Sequence, residues 1–302
     1  LEEVEDKDSH KRIITRRKEA ERNQASILEN AINVLDSEDL LDYYPERFSY
    51  GKDRKEQLFN IALSLTISWV NRILFLKLLE AQLIKYHKGD SSYSFLNLNK
   101  ITDYDELNKL FYQVLAKRPQ DRKDVINAKY GKVPYLNSSL FEVSSLEKGT
   151  IRISNLENHD LLLFGGTVLR EGTKPRYRQL PTLRYLLEFL DAYDFASEGN
   201  EEIQENAKPL INASVLGLIF EKINGHKDGS VFTPGAVTMY MSREAIRQTV
   251  VWKFNEVMGW NCKDYEALRD KDIEDYVKAN ALVDSLRICD PAVGSGHFLF
   301  SV

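Results

Sequence analysis

The alternation of apolar and polar positions along the chain predicts a mainly helical protein. At 53–85 apolar residues recur at helical spacing, and so many further positions are apolar that most faces of this helix must be buried. Residues 1–36 are mostly charged, with apolar positions only in their second half, which predicts a solvated helix whose second half docks on the protein. The helical period also predicts shorter helices at 103–116, 182–193, 208–224 and 234–250.

Short strands are predicted at 150–154, at 161–169 with an interruption at Gly165-Gly166, and at 286–290, which has the composition of a buried strand. The polar, acidic stretch at 197–205 marks the predicted boundary between two larger domains. We therefore expect three parts in the chain. They are a charged helix or linker at 1–45, a helical domain with a few short strands at 46–200, and a second domain at 201–302.

Composition narrows the class of protein. The 302 residues are 43% hydrophobic and 29% charged, which excludes a disordered or collagen-like chain. Because the formal net charge is −5, a nucleic acid would have to be held by local basic patches. Two cysteines, Cys262 and Cys289, cannot form a disulfide framework, and we expect both to be reduced and partly buried. No secretory signal opens the chain. The most apolar stretch, 56–72, falls short of the ~20 residues that cross a bilayer. We therefore expect a cytoplasmic protein that has no membrane partner.

Two motifs carry candidate chemistry. Residues 290–299, Asp-Pro-Ala-Val-Gly-Ser-Gly-His-Phe-Leu, place an acidic residue after the predicted strand and small residues before a helix. Such a turn binds nucleotide-like ligands, because glycines let the backbone approach and the helix N-terminus favours negative charge. The third glycine of the dinucleotide fingerprint is absent, and a plain strand-to-helix turn is the alternative. The second motif is Thr233-Pro234, an N-cap followed by a first helical residue.

Together these segments resemble the γ-type DNA N6-adenine methyltransferases, in particular type IIG restriction–modification enzymes and the modification subunits of type I systems. Residues 290–299 are similar to that family's Asp-Pro-Ala-x-Gly-Ser-Gly-x-Phe-Leu cofactor motif, and Phe232-Thr233-Pro234 resembles its upstream Tyr-Thr-Pro segment. Residues 216–223 resemble the helix leading into that segment. Residues 134–142 resemble a Leu-Asn-Gly-Gly-Leu-Phe-Glu stretch, with two serines in place of the glycines.

The resemblance implies S-adenosylmethionine as cofactor and double-stranded DNA as partner. The fold that it implies is mainly α: a helical connector domain, followed by the beginning of an α/β Rossmann-like methyltransferase domain at 201–302. Asp290 would face the ammonium group of the cofactor, and the backbone around Gly294 and Gly296 would pack against its methionine part. The residues that the resemblance assigns to the cofactor are Phe232, Thr233, Pro234, Asp290, Ala292, Gly294, Ser295, Gly296 and Phe298.

The chain also departs from the family pattern. The family's catalytic motif, Asn or Asp followed by Pro-Pro and an aromatic residue, acts on a flipped-out adenine. None of the eight prolines here is adjacent to another, and the chain stops at Val302, within the helix that follows the cofactor turn. We therefore expect a fragment with half a cofactor site, no catalytic site and no metal site, inactive alone. The resemblance allows a nuclease domain upstream and a target-recognition domain downstream in its parent, and the sequence leaves open whether a nuclease domain precedes residue 1.

Contacts to DNA are predicted in two basic stretches, because basic loops with aromatic residues suit phosphate contact. Residues 117–132 hold six basic and two acidic residues, and residues 170–184 hold five basic and one acidic. The predicted contact residues are Arg170, Lys174, Arg176 and Arg178. Two rival interpretations remain open: another nucleotide-cofactor α/β enzyme, and a helical spacer or protein-interaction module whose methyltransferase-like segment is vestigial.

Overall fold

The computed structural model describes residues 1–5, 12–195 and 235–291, with single positions at 209, 211, 215, 217, 219, 233 and 298. The described residues form two compact units. Unit 1 holds those up to 211, and unit 2 holds those from 215 onward. Both are mainly helical, which confirms the mainly α class, and every strand pairing in the described part of the chain lies in unit 1. The α/β Rossmann-like architecture expected at 201–302 stays a prediction. The limits of the three predicted domains stay predictions.

The helices of unit 1 follow the predicted periodicity for the most part. They are α1 (Ile27–Ser37), α2 (Arg54–Tyr86), α3 (Tyr104–Lys109), α4 (Asp124–Tyr130), α5 (Ser145–Gly149) and α6 (Thr182–Asp191). A π-helical turn, Leu110–Leu115, continues α3 directly. Short 3-10 turns occupy Glu19–Glu21, Leu40–Tyr43, Pro45–Tyr50, Ser91–Tyr93, Pro119–Asp121, Ser139–Phe141 and Ile153–Asn155.

Strands in unit 1 are short and form three antiparallel pairs. β1 (Glu2–Glu5) pairs with β2 (Arg12–Thr15), β3 (Asp160–Leu162) with β6 (Gln179–Pro181), and β4 (Arg170–Glu171) with β5 (Lys174–Pro175). The helix predicted over 1–36 is therefore wrong in its first half. The run Ile13-Ile14-Thr15 is β-branched and favours a strand, and the helix starts only after the N-cap Ser26.

Two further strand predictions need correction. Residues 150–154 form a loop and the start of a 3-10 turn, because Ile151 and Ile153 are buried alternately but no strand in the described part of the chain pairs with them. The strand predicted at 161–169 ends at Leu162, and a turn follows in which Thr167 N donates to Phe164 O at 3.2 Å.

Helix α2 is the centre of unit 1. Asp53 caps its N-terminus by accepting a hydrogen bond from Glu56 N at 2.9 Å, and the chain leaves it through Lys88 and Gly89, both with positive φ. Leu58, Ile61, Leu65 and other residues of its apolar face are buried, and α1 packs on it through Leu28, Ala31, Ile32 and Leu35.

By length and composition α2 would also pass as a membrane span, with a mean hydropathy of 1.5 over 18 residues. It is longer than the apolar stretch at 56–72 suggested. Buried core helices pass the same test, and 39% of that window is buried inside the protein.

A buried ion pair ties α2 to α5. The side chains of Arg72 and Glu147 are 4% and 0% exposed, and Arg72 Nη1 lies 2.6 Å from Glu147 Oε1. Trp69 Nε1 donates to the same carboxylate at 2.9 Å, and the Tyr112 hydroxyl donates to it at 2.6 Å. Tyr112 belongs to the π-helical turn. The capping box at Ser144 adds a backbone N–H at 3.0 Å, so the carboxylate is fully satisfied.

The same arginine holds the segment at 138–142, part of the stretch that resembles the large methyltransferases. Arg72 Nε donates to Leu140 O at 2.6 Å, and Nη2 donates to Glu142 O at 3.1 Å. Phe141, the residue between Leu140 and Glu142 in the chain, is completely buried. One guanidinium therefore fixes a helix, a turn and a carboxylate in a single arrangement.

Unit 2 consists of α7 (Gly235–Met258), α8 (Tyr265–Arg269) and α9 (Tyr276–Asp284). Phe254, Cys262, Leu268, Ala279 and Leu282 form its small core. Cys262 is thus buried, whereas Cys289 is exposed, which corrects the expectation that both are partly buried. The helix predicted at 234–250 is present, but its side chains at Val237, Tyr240 and Met241 are exposed.

The predicted buried strand at 286–290 is wrong in the described structure. Residues 287–289 are exposed and form no strand. A strand needs a neighbour to accept its backbone hydrogen bonds, and the described part of unit 2 contains none. The helix predicted at 208–224 lies mostly outside the described residues, and positions 215, 217 and 219 are helical.

The ion pair predicts an acid-dependent stability. Burial alone would raise the pKa of Glu147, but the hydrogen bonds and charge of Arg72, with the Tyr112 hydroxyl, lower it from 4.5 to about 2. Because the folded pKa lies below the unfolded one, this stabilisation is complete above about pH 4.5 and is lost as the pH falls toward 2.

We predict that Glu147→Gln lowers the free energy of unfolding by about 3 kcal/mol or more at neutral pH, because Arg72 remains buried without a counter-charge. It should also flatten the pH dependence between 4.5 and 2. Urea unfolding followed by circular dichroism measures both. Glu188→Gln, which opens the surface pair with Arg184, is the control and should cost much less. Equal losses in the two variants would contradict the assignment.

Candidate functional site

A cleft in unit 2 brings together two of the predicted cofactor residues. It has a volume of about 440 Å³ and lies between α7 and the segment that follows α9. Asp290 and Phe298 both line it. The complete lining is Met241, Ser242, Ala245, Ile246, Thr249, Leu286, Arg287, Ile288, Cys289, Asp290, Pro291 and Phe298. Its volume is in the range of small-molecule sites, and an apolar lining with a few polar groups is typical of them.

Local interactions fix the walls of this cleft. Helix α9 ends where Ser285 N donates to Ala281 O at 3.1 Å, and Leu286 N donates to Val283 O at 3.0 Å. The residues that follow, up to 290, form neither helix nor strand. On the opposite wall, Ser242 is buried and its hydroxyl donates to Phe298 O at 3.3 Å, which holds Phe298 beside α7.

The other predicted cofactor residues divide into two groups. Thr233 is exposed and is not among the described residues that line the cleft. Phe232, Pro234, Ala292, Gly294, Ser295 and Gly296 lie outside the described residues.

Sequence reasoning missed the polar wall of the cleft. Ser242 and Thr249 carry hydroxyls on the same face of α7 as Ala245 and Ile246. The signal was present as Ser242, Ala245 and Thr249 at i, i+3 and i+7, but it was hidden by the more apolar residues of the same helix.

The second candidate site is a basic hairpin in unit 1, defined here as residues 170–178. A tight turn at Gly172, with φ of 64°, joins β4 to β5. Lys174, Arg176 and Arg178 are exposed, and no carboxylate among the described residues lies within ion-pair distance of them. Leu163, Leu169 and Leu180 form a small core beneath them. Within the described part of the chain, the hairpin therefore presents three cations without an ion-pair partner on a packed support.

Arg170, the fourth predicted contact, is exposed, but its guanidinium is engaged by two backbone carbonyl groups. Its Nε donates to Thr167 O at 2.7 Å, and its Nη2 donates to Gly165 O at 2.9 Å. Arg184 at the far end of the stretch pairs with Glu188 at 2.6 Å.

Three of the six basic residues in the stretch 117–132 are engaged in structure. Arg122 is buried and donates to Lys117 O and Val133 O, and burial lowers its pKa. Lys129 pairs with Glu106 at 2.6 Å, and Lys132 lies 3.5 Å from Asp90. Among the described residues, no group of three or more His, Cys, Asp or Glu side chains could hold a metal ion.

Comparisons with known proteins give one family and one relative. A family model described as a domain of unknown function (DUF7814) matches residues 1–211. A protein of Methanocaldococcus jannaschii named "Putative type II restriction enzyme and methyltransferase" is 29% identical over 263 residues, which cover 77% of this chain and 20% of the relative. The chain thus spans about a fifth of the length of that relative. No solved structure matches the chain.

The two matches overlap over much of the chain, and the match to the relative covers more of it. The family model ends at residue 211, the last described residue of unit 1. Because 77% of the chain is a larger share than residues 1–211 make up, the similarity to the relative extends beyond that point.

The exposed segment beside the cleft gives a direct prediction. In the native protein Cys289 should react rapidly with a thiol reagent, because it is exposed. Cys262 should react only on unfolding, because its side chain is buried in the core of unit 2. Timed labelling with mass-spectrometric mapping of the two cysteines measures this. Slow labelling of Cys289 would show that residues 286–290 are covered, as in the strand predicted from the sequence.

Proposed function

The chain belongs to the family described as a domain of unknown function (DUF7814), and we propose that it forms part of a restriction–modification methyltransferase acting on DNA. The proposed reaction is methyl transfer from S-adenosylmethionine to N6 of adenine. The observation that carries the proposal is the cleft of unit 2, where Asp290 and Phe298 of the methyltransferase-like motif meet the polar face of α7. The similarity beyond residue 211 to a protein named as a methyltransferase supports it.

The residues of the cleft fit this cofactor. Asp290 offers a carboxylate to a positively charged or hydroxyl-bearing group. The hydroxyls of Ser242 and Thr249 donate to Phe298 O and Ala245 O, so they offer their oxygen lone pairs as acceptors. Met241, Ile246 and Phe298 offer apolar surface of the kind that buries an adenosine moiety. When bound, S-adenosylmethionine supplies an electrophilic methyl group.

The transfer step itself needs residues outside this chain. The sequence contains no Pro-Pro pair, so it lacks the motif that would hold a flipped adenine. Since the chain spans a fifth of its relative, we propose that the rest of a longer protein supplies that motif and the recognition of the DNA sequence. The 302-residue chain would then bind the cofactor and DNA without transferring the methyl group. We propose that it does so in the cytoplasm and that it has no membrane partner.

In the proposed division of labour, unit 1 contacts the DNA backbone. Lys174, Arg176 and Arg178 provide the cations, and Arg170 shapes the turn beside them. Phosphate contacts position a protein on DNA without reading its sequence. This arrangement reconciles DNA binding with a net charge of −5, because the positive charge is concentrated on one hairpin.

A substitution in the cleft tests the cofactor site. We expect Ala245→Leu to weaken binding of S-adenosylhomocysteine by more than tenfold, because the larger side chain enters the cleft. Ala236→Leu, an exposed alanine at the start of the same helix, is the matched control and should leave the affinity unchanged. Calorimetric titration measures the affinity. Equal affinity of the wild type and Ala245→Leu would place the ligand elsewhere.

The DNA contact is tested separately. Arg176→Ala with Arg178→Ala should weaken binding to cognate and unrelated duplexes alike. It should reduce the log–log salt slope by roughly one unit per lost phosphate contact. Lys52→Ala with Lys55→Ala removes the same charge from exposed positions near the start of α2 and serves as control. Fluorescence anisotropy at several salt concentrations gives both quantities. An unchanged slope in the arginine variant would reject the hairpin as the phosphate contact.

A further inference from the structure

An exposed phenylalanine, Phe164, lies in the segment just before the basic hairpin. Phe164 is 64% exposed, although burying a phenylalanine side chain would stabilise the folded protein. Its neighbours Leu162 and Val168 are exposed as well. All three lie within seven positions of the chain, from the last residue of β3 to the residues just before the basic hairpin.

The turn that carries Phe164 is held rigidly from three sides. Thr167 N donates to Phe164 O, and the guanidinium of Arg170 donates to the carbonyl groups of Gly165 and Thr167. Thr167 is buried, and its hydroxyl lies 3.1 Å from the Tyr185 hydroxyl on α6. The ring is thus presented to solvent on a pre-formed support, which reduces the entropy lost when it binds a partner.

Gly166 leaves room for the ring. A Cβ added at Gly166 would lie 2.5 Å from Phe164 Cε2, which is closer than real contacts allow. Because the ring is the free end of a side chain, a methyl group there would displace Phe164 rather than break the turn. The position of the ring therefore depends on glycine at 166.

Several arginines lie near Phe164. The backbone of Leu163 pairs with Arg178, since Leu163 N donates to Arg178 O at 3.1 Å. Phe164 also lines a second cleft of about 370 Å³ together with Arg17, Arg22 and Glu21, and the other acid of that cleft, Glu29, is paired with Arg16. Arg17 and Arg22 donate to backbone carbonyl groups, and no carboxylate among the described residues lies within ion-pair distance of either. An aromatic ring beside such arginines matches a nucleic acid, whose bases stack on rings while its phosphates pair with cations.

We propose that Phe164 is a DNA-contacting residue whose ring packs against a base or a base step while Arg176 and Arg178 hold the neighbouring phosphates. This inference rests on the proposed DNA contact of the hairpin and adds to it a contact that carries no charge. It assigns to Gly165-Gly166 and Arg170 the role of positioning the ring.

Binding of a fluorescent mixed-sequence duplex to the 302-residue chain tests the proposal. Phe164→Ala should weaken the affinity about tenfold while leaving the salt slope unchanged, because base stacking releases no counterions. Phe164→Trp should retain the affinity, and DNA should change its added fluorescence relative to the wild type. Phe48→Ala, at a phenylalanine that is 70% exposed elsewhere in unit 1, is the matched control and should bind as the wild type does. Circular dichroism melts confirm that each variant is folded.

A double-mutant cycle tests the role of Gly166. Gly166→Ala alone should weaken binding, and in the Phe164→Ala background it should have no further effect, since both changes act on the same ring. Additive effects would overturn the positioning role. If Phe164→Ala binds like the wild type while the Arg176/Arg178 variant is weakened, the ring contact is refuted and the phosphate contact stands. If neither variant loses affinity, the hairpin is not the DNA surface and both proposals fail.

Discussion

The buried pair of Arg72 and Glu147 is the interaction on which unit 1 depends. Two charges withdrawn from water are tolerated only when every hydrogen-bonding group around them is satisfied. Here the guanidinium reaches the carboxylate and two backbone carbonyl groups, and the carboxylate also accepts from Trp69 and Tyr112. This requirement fixes the register of α2 against α5 and positions the segment at 138–142.

The support of the basic hairpin follows a similar rule on a smaller scale. Arg170 donates to two carbonyl groups of one turn, and Thr182 at the start of α6 donates to Ala25 O at 2.7 Å. A core of three leucines, Leu163, Leu169 and Leu180, packs beneath the strands. Cations on such a support can contact phosphate without first being ordered, which makes the hairpin a better DNA contact than the stretch at 117–132, where several basic side chains are already paired.

Local pattern predicted some of this structure and missed the parts that depend on distant partners. The helix at 53–85 was predictable because its apolar residues repeat through nine turns, and the observed α2 is Arg54–Tyr86. The π-helical turn was not, because Tyr112 is placed by a carboxylate 35 residues further along the chain. The strand predicted at 286–290 failed because its composition suits a strand, whereas a strand forms only beside a partner. In the candidate site, Asp290 and Phe298 were identifiable from a motif, but Ser242 and Thr249 required the three-dimensional structure.

Photo-crosslinking of radiolabelled S-adenosylmethionine, followed by peptide mapping, tests the central claim most directly. The claim is that unit 2 holds the cofactor between α7 and the residues around Asp290. The account predicts that the label lies in peptides containing Met241–Thr249 or 286–298, and that excess S-adenosylhomocysteine removes it. Label confined to unit 1, or label that the competitor does not reduce, would contradict the account.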